Sequence, residues 1–370
     1  MATVHIRVVL VMARCILALS PTACAAAPLC AQPPAADTMT SVVMDHEVQM
    51  GASLAALAAR FGMPAAVIAR DNALHPGAAL VPGQILKIAS HHLLPQALVQ
   101  DLSDGIVINV PQRMLFRLRS GRIAAAYPAA LGRASWPTPT GEFRVTNRQL
   151  DKTWVVPPSI QAEMRAEGRL VLTWVPPGPD NRLGRHWIGL SLAGIGMHGT
   201  NAPLSIHGLR SHACIRLHPD DAAALYADVG IGEPGRIVYA PVMLMRAEGG
   251  RIWFEANPDA YRRDRTTLAQ LRERTAPTGL VQRIDWLLVA VMLHERAGRA
   301  GIVDFGPVYP WQAARLFSAA QHRNGDTSSL GCSRRCGRHT GDAATRRSTR
   351  GSVSQRCHRT AGAAAQHPHR

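Results

Sequence analysis

Seven cysteines occur in the 370 residues, three before position 31, three after position 331, and Cys214 alone between them. Cys214 lies in Ser211-His212-Ala213-Cys214-Ile215-Arg216-Leu217, and Met197-His198-Gly199-Thr200 stands a short spacer upstream. A thiol attacks well only as thiolate, and an unperturbed cysteine ionises near ~8.5. An imidazole within reach can take that proton and later return it to a leaving amine. Backbone N–H groups around the nucleophile can hold a tetrahedral oxyanion, and Arg216 offers a planar fork to a carboxylate. A lone cysteine excludes a disulfide framework for the body of the chain. His198, His207, His212, Cys214 and His218 could also be metal ligands, but neither Cys-x-x-Cys nor His-Glu-x-x-His is present. No metal is expected, and His207 and His218 read as surface loop residues.

The His-Gly-Thr and Ser-His-x-Cys-Ile-Arg-Leu segments closely resemble the L,D-transpeptidase (YkuD) catalytic domain. Pro137-Thr138-Pro139-x-Gly141-x-Phe143, Pro157-Pro158-Ser159-Ile160, Val175-Pro176-Pro177-Gly178-Pro179-Asp180-Asn181 and Leu183-Gly184 agree with it. The resemblance implies Cys214 as nucleophile and His198 as general base. It places His212 and the amides of Ala213 and Cys214 at the oxyanion, with Ser211, Arg216, Gly199 and Thr200 shaping the site. The implied reaction is acyl transfer on peptidoglycan stem peptides, giving 3→3 cross-links with no cofactor, and carbapenems are expected to acylate Cys214. Two other readings stay open. The same thioester could pass to an amine of an anchored wall protein or to water, or the chain could be a non-catalytic wall-binding protein. Three residues depart from the family pattern: Ala213 and His207 stand where it has Gly, and Arg182 where it has Pro. Alanine at 213 adds strain if the backbone there needs positive φ.

The elements that must position these residues are short β-type runs with turn residues between them. Ile106–Val110, Met114–Leu118, Ile123–Tyr127, Phe143–Val145 and Ile237–Tyr239 predict a mainly β catalytic domain, a β-sandwich, over 102–242. Pro219-Asp220-Asp221 opens a helix, with proline at N1 and acids in the first turn.

Upstream, Leu54, Leu57, Ala58 and Phe61 fall at helical spacing, with Ser53 placed as N-cap and Gly62 as stop. A strand including Val42–Met44, two helices and a strand at Ile85–Ile88 predict a small βααβ unit over 42–90. Its Gly51, Ser53-Leu54, Phe61-Gly62, Asn72 and Pro82-Gly83-Gln84-x-Leu86-x-Ile88 are similar to a LysM module. That resemblance implies binding to the N-acetylglucosamine-containing glycan strands. After position 243 a helical extension to 321 is expected, with one strand at Ile252–Glu255 and its best helix at 282–296.

Arg7, a short apolar run and Ala25-Ala26-Ala27 read as a signal peptide over 1–31, which implies secretion to the periplasm or cell wall. Residues 322–370 hold ten Arg, two Asp and few large apolar side chains, the composition of a disordered tail. That tail supplies half of the net charge of +16. The mildly basic body left over suits an anionic polymer surface and does not call for nucleic acid.

Overall fold

The computed structural model describes residues 38–99, 101–247 and 249–306. The expected signal peptide, the last part of the extension and the Arg-rich tail lie outside the described residues. In the N-terminal unit, strand β1 (Thr38–Glu47) leads to helices α1 (Leu54–Phe61) and α2 (Ala65–Asp71) and to strand β2 (Ile85–Leu94). The Ser53 hydroxyl accepts the Ala56 N–H at 3.2 Å, and Gly62 closes α1 at φ 64°. The apolar spacing of α1 turns Leu54 and Leu57 inward onto Val67, Ile68 and Ile88. The antiparallel pairing runs from Glu47↔Ile85 to Thr38↔Leu94, beyond the expected limits of 42 and 90. The added length is held because Leu93 and Leu94 are completely buried against later parts of the chain.

The second unit follows with β3 (Gly105–Asn109), β4 (Met114–Arg119), β5 (Arg122–Gly132) and β6 (Gly141–Leu150). A flap of β7 (Trp154–Val155), α3 (Pro158–Ala166) and β8 (Trp174–Val175) comes next, with its own small core of Val156, Ile160, Met164 and Val175. Then come β9 (His186–Leu190), β10 (Gly196–His198), β11 (Leu209–Ser211), β12 (Ile215–Leu217), α4 (Pro219–Asp228) and β13 (Pro234–Val238). The strand order is β11-β5-β12-β10-β9-β6-β13-β3-β4, and β5 also pairs with β4. Its first part joins β4, Ala129 and Ala130 join β12, and its last residues join β11, so one strand is shared and the sandwich closes like a barrel. Ile108, Leu115, Leu131, Met197, Ile215 and Leu217 fill the interior, with Leu225 of α4 laid over them.

In the extension the expected strand, β15 (Ile252–Ala256), lies between β14 (Val242–Arg246) and β16 (Arg299–Ile302), with α5 (Leu268–Thr275) and α6 (Trp286–Glu295) beside the sheet. Two strands therefore join the one read from sequence. β14 buries Met243 and Met245 in alternation, which its run of five residues signals only weakly. Arg299-Ala300-Gly301-Ile302 has poor intrinsic strand preference and is recruited by pairing with β15.

These three parts meet at Glu255, which is fully buried. Its carboxylate accepts the Leu93 amide and the Gln112 side chain at 2.9 Å each, and Asn257 donates to it at 2.9 Å. Such a group is tolerated only because its lone pairs are used. The N-terminal unit is thus packed on the catalytic domain. Ala59 joins Ala130 and Ile206 in one apolar cluster, and Arg60 pairs with Asp221 at 2.9 Å. His207, expected on a surface loop, is buried in this junction, with the backbone carbonyls of Gln112 and Met63 beside its ring. Packing of α1 over the spacer loop encloses it. His218 stays partly exposed as the N-cap of α4.

Candidate active site

His198 and Arg216 are register partners on the parallel neighbours β10 and β12, so their side chains leave the sheet side by side. His198 is buried and its Nδ1 lies 2.6 Å from the Gly199 carbonyl. A carbonyl only accepts, so the proton sits on Nδ1 and Nε2 is left as an acceptor. Burial, then the charge of Arg216, lowers the His198 pKa to about 4. The ring is neutral at neutral pH and free to take a proton. Trp187 stacks on it at 5.8 Å, in space that a Cβ at Gly196 would fill.

Cys214 precedes β12 and is the free cysteine of the described residues. Burial raises its pKa, while the Gly196 amide and Arg216 act in the opposite sense. The resting pair is therefore thiol and neutral imidazole. Among the described residues the Ala213 and Cys214 amides donate to no protein acceptor. Ala213 holds φ 72°, the left-handed region. Its carbonyl accepts from Thr138 Oγ1 at 2.9 Å, and the Ser211 hydroxyl donates to the Cys214 carbonyl at 2.5 Å. Tyr261 of the extension donates to the Gly132 carbonyl at 2.6 Å and accepts the Thr138 amide at 3.1 Å. The extension thereby supports the loop that carries the cysteine.

His198, Ser211, His212, Cys214 and Arg216 border one cavity of about 340 Å³, walled on the other side by Trp154, Val155, Pro157 and Ile160 of the flap. Gly199 and Thr200 are brought near but do not border it. They serve from behind: Gly199 supplies the carbonyl that orients His198, and Thr200 Oγ1 accepts the Ala202 amide at 3.0 Å. Gly184 approaches this segment so closely that a Cβ would stand 2.9 Å from the Thr200 nitrogen.

Sequence reasoning missed the partner of His212. Glu163 on α3 lies 2.5 Å from His212 Nε2 and also pairs with Arg133. Those bonds, with His212 first, hold the Glu163 carboxyl down at about 2. A carboxylate in a separate flap, 49 residues from its partner, leaves no spacing signal. Thr138 was within reach of sequence reasoning, because it lies in the Pro137-Thr138-Pro139 segment that resembles the family pattern.

A family model for the L,D-transpeptidase catalytic domain (YkuD) matches residues 103–238, and one for the LysM domain matches 46–89. The probable L,D-transpeptidase YcfS of Escherichia coli is 31% identical over 227 residues, covering 59% of this chain and 69% of that protein. The probable L,D-transpeptidase ErfK/SrfK of the same organism is 31% identical over 227 residues, covering 60% and 69%. The putative L,D-transpeptidase YkuD of Bacillus subtilis is 29% identical over 191 residues, covering 51% and 96%. The fold and the Cys–His site thus define the class, and the chain belongs to the L,D-transpeptidase family, with a LysM domain at its N-terminal side.

Proposed function

We propose that this chain is a peptidoglycan L,D-transpeptidase that works outside the cytoplasm through a Cys214 acyl-enzyme. The observation that carries the reading is His198, which borders the same cavity as Cys214 and has its Nδ1 against the Gly199 carbonyl, the arrangement that leaves Nε2 as the base. His198 Nε2 takes the Sγ proton as sulfur attacks the carbonyl at the L-centre of the third stem residue. The amides of Ala213 and Cys214, unspent within the protein, hold the oxyanion. The imidazolium returns its proton to the departing D-alanine amine as the C–N bond breaks. An amine of a second stem then attacks the thioester, His198 takes its proton, and the thiolate leaves and is reprotonated. The product is a 3→3 cross-link. His212 is fixed by Glu163 and lines the site without taking part in proton transfer.

Peptidoglycan as the partner is also supported by the LysM domain, whose loops are tied by Val48–Gln84 and Val48–Gly83 backbone bonds and carry exposed Met50, Val81 and Ile85. The test is intact-protein mass after incubation of the full chain with a carbapenem, followed by turnover of a disaccharide-tetrapeptide. A one-to-one adduct that Cys214→Ala lacks, with dimeric cross-linked product from the peptide, is expected. No adduct and no product would leave a wall-binding protein.

A further inference from the structure

The catalytic cavity is lined by three cationic side chains, Lys152, Arg182 and Arg216, and by no carboxylate. Lys152 is occupied, its ammonium bonded to Gln149 Oε1 at 2.9 Å and held over the Trp187 ring. The two arginines are not. Neither makes an ion pair or hydrogen bond among the described residues, and the Arg216 Nε is buried without an acceptor. Arg182 is near enough to depress the Arg216 pKa, an effect second only to burial. Placing two guanidinium groups together without a counter-ion costs free energy that an anion in the cavity would recover. Arg182 reaches this place on the turn pinned by Asn181, whose side chain holds the carbonyls of Lys152, Val175 and Pro176 and the Leu183 amide. It is also the position at which this chain departs from the family's proline.

We propose that Arg182 and Arg216 form a carboxylate-binding subsite beside Cys214, so that the chain prefers stem peptides bearing a free carboxylate near the attacked carbonyl over their carboxamides. The inference rests on the proposed peptide substrate. Two carboxylates of a stem peptide meet the chemistry: the one on the leaving residue and one at the far end of the attacked residue's side chain. Arg182 acts by positioning substrate and touches no reacting atom.

The test is calorimetric binding of three synthetic tetrapeptides to full-length Cys214→Ala protein: the free acid, the peptide amidated at its terminus, and the peptide amidated on the side chain. One amide is expected to bind about tenfold more weakly than the acid, and which one it is identifies the carboxylate. Arg182→Gln in the same background should bring the acid down to the level of that amide and flatten its salt dependence. Arg182 is exposed, so this variant keeps the fold. Equal binding of all three peptides, no binding of any, or an acid-to-amide ratio unchanged by Arg182→Gln would overturn the subsite. If wild-type protein forms no acyl adduct while the acid is still preferred, the catalytic reading fails and the subsite stands.

Discussion

His207 and Ala213 flank the same loop, and both hold the left-handed backbone that glycine takes without strain, φ 59° and φ 72°. A side chain there costs about 1 kcal/mol, yet the two positions answer it differently. The His207 ring is buried between the LysM unit and the β-sandwich, beside the backbone carbonyls of Met63 and Gln112, one of which can accept the single N–H of the neutral ring. The Ala213 methyl is half-exposed and makes no such bond; only its carbonyl is tied, by Thr138. One strained residue joins two units, and the other is held in place by its neighbours. The loop that carries Cys214 is therefore set partly by a domain whose expected task was glycan binding.

The sharpest way to break this comparison is His207→Ala, which keeps the strain, opens a cavity between the two units and removes the one N–H that the neutral ring can donate. A loss of about 2–4 kcal/mol is expected in urea unfolding of the full chain. His207→Gly should lose about 1 kcal/mol less, because the backbone relaxes. A loss below about 0.5 kcal/mol in either would remove the strut.

Next in size is the pH dependence. Burial lowers the His207 pKa in the folded state, as it does that of His198 to about 4. The unfolded chain therefore binds these protons first, and stability present above about 6.5 is lost as pH falls toward the folded values. Each histidine contributes up to about 1.4 kcal/mol per unit. Between pH 7.5 and 5, His207→Gly should lose about 2 kcal/mol less than wild type. Parallel curves would contradict a buried neutral His207.

Ala213→Gly should do the opposite of the substitutions at 207, raising unfolding free energy by up to about 1 kcal/mol without slowing carbapenem acylation. A destabilised variant would show that the methyl has a role. The smallest effect of that change is expected on the thiol. Because burial raises the Cys214 pKa, alkylation by iodoacetamide should climb about tenfold per pH unit from 6 to 8 in wild type and Ala213→Gly alike. A plateau near neutrality would instead indicate a preformed ion pair.

The unequal fates of these two positions also mark what sequence could reveal. Both were recognisable as replacements of glycine, but only the backbone shows that each has positive φ. The cap at Ser53, the stop at Gly62 and the proline start of α4 were readable because each signal acts within one helical turn. That Cys214 and His198 share one site was readable because the loop and the neighbouring strand lie close together in the chain. β16 was not, since four residues of weak strand preference become a strand only where β15 offers its edge.

By itself, then, the sequence determined the candidate reacting groups, the small LysM unit and the mainly β character of the body, all products of residue type and short-range periodicity. Tertiary structure decided that His207 is buried, that Glu163 holds His212 across 49 residues of chain, and that Arg182 meets Arg216 with no acid between them. Burial and the meeting of charges depend on which distant surfaces pack together, and no local pattern carries that information.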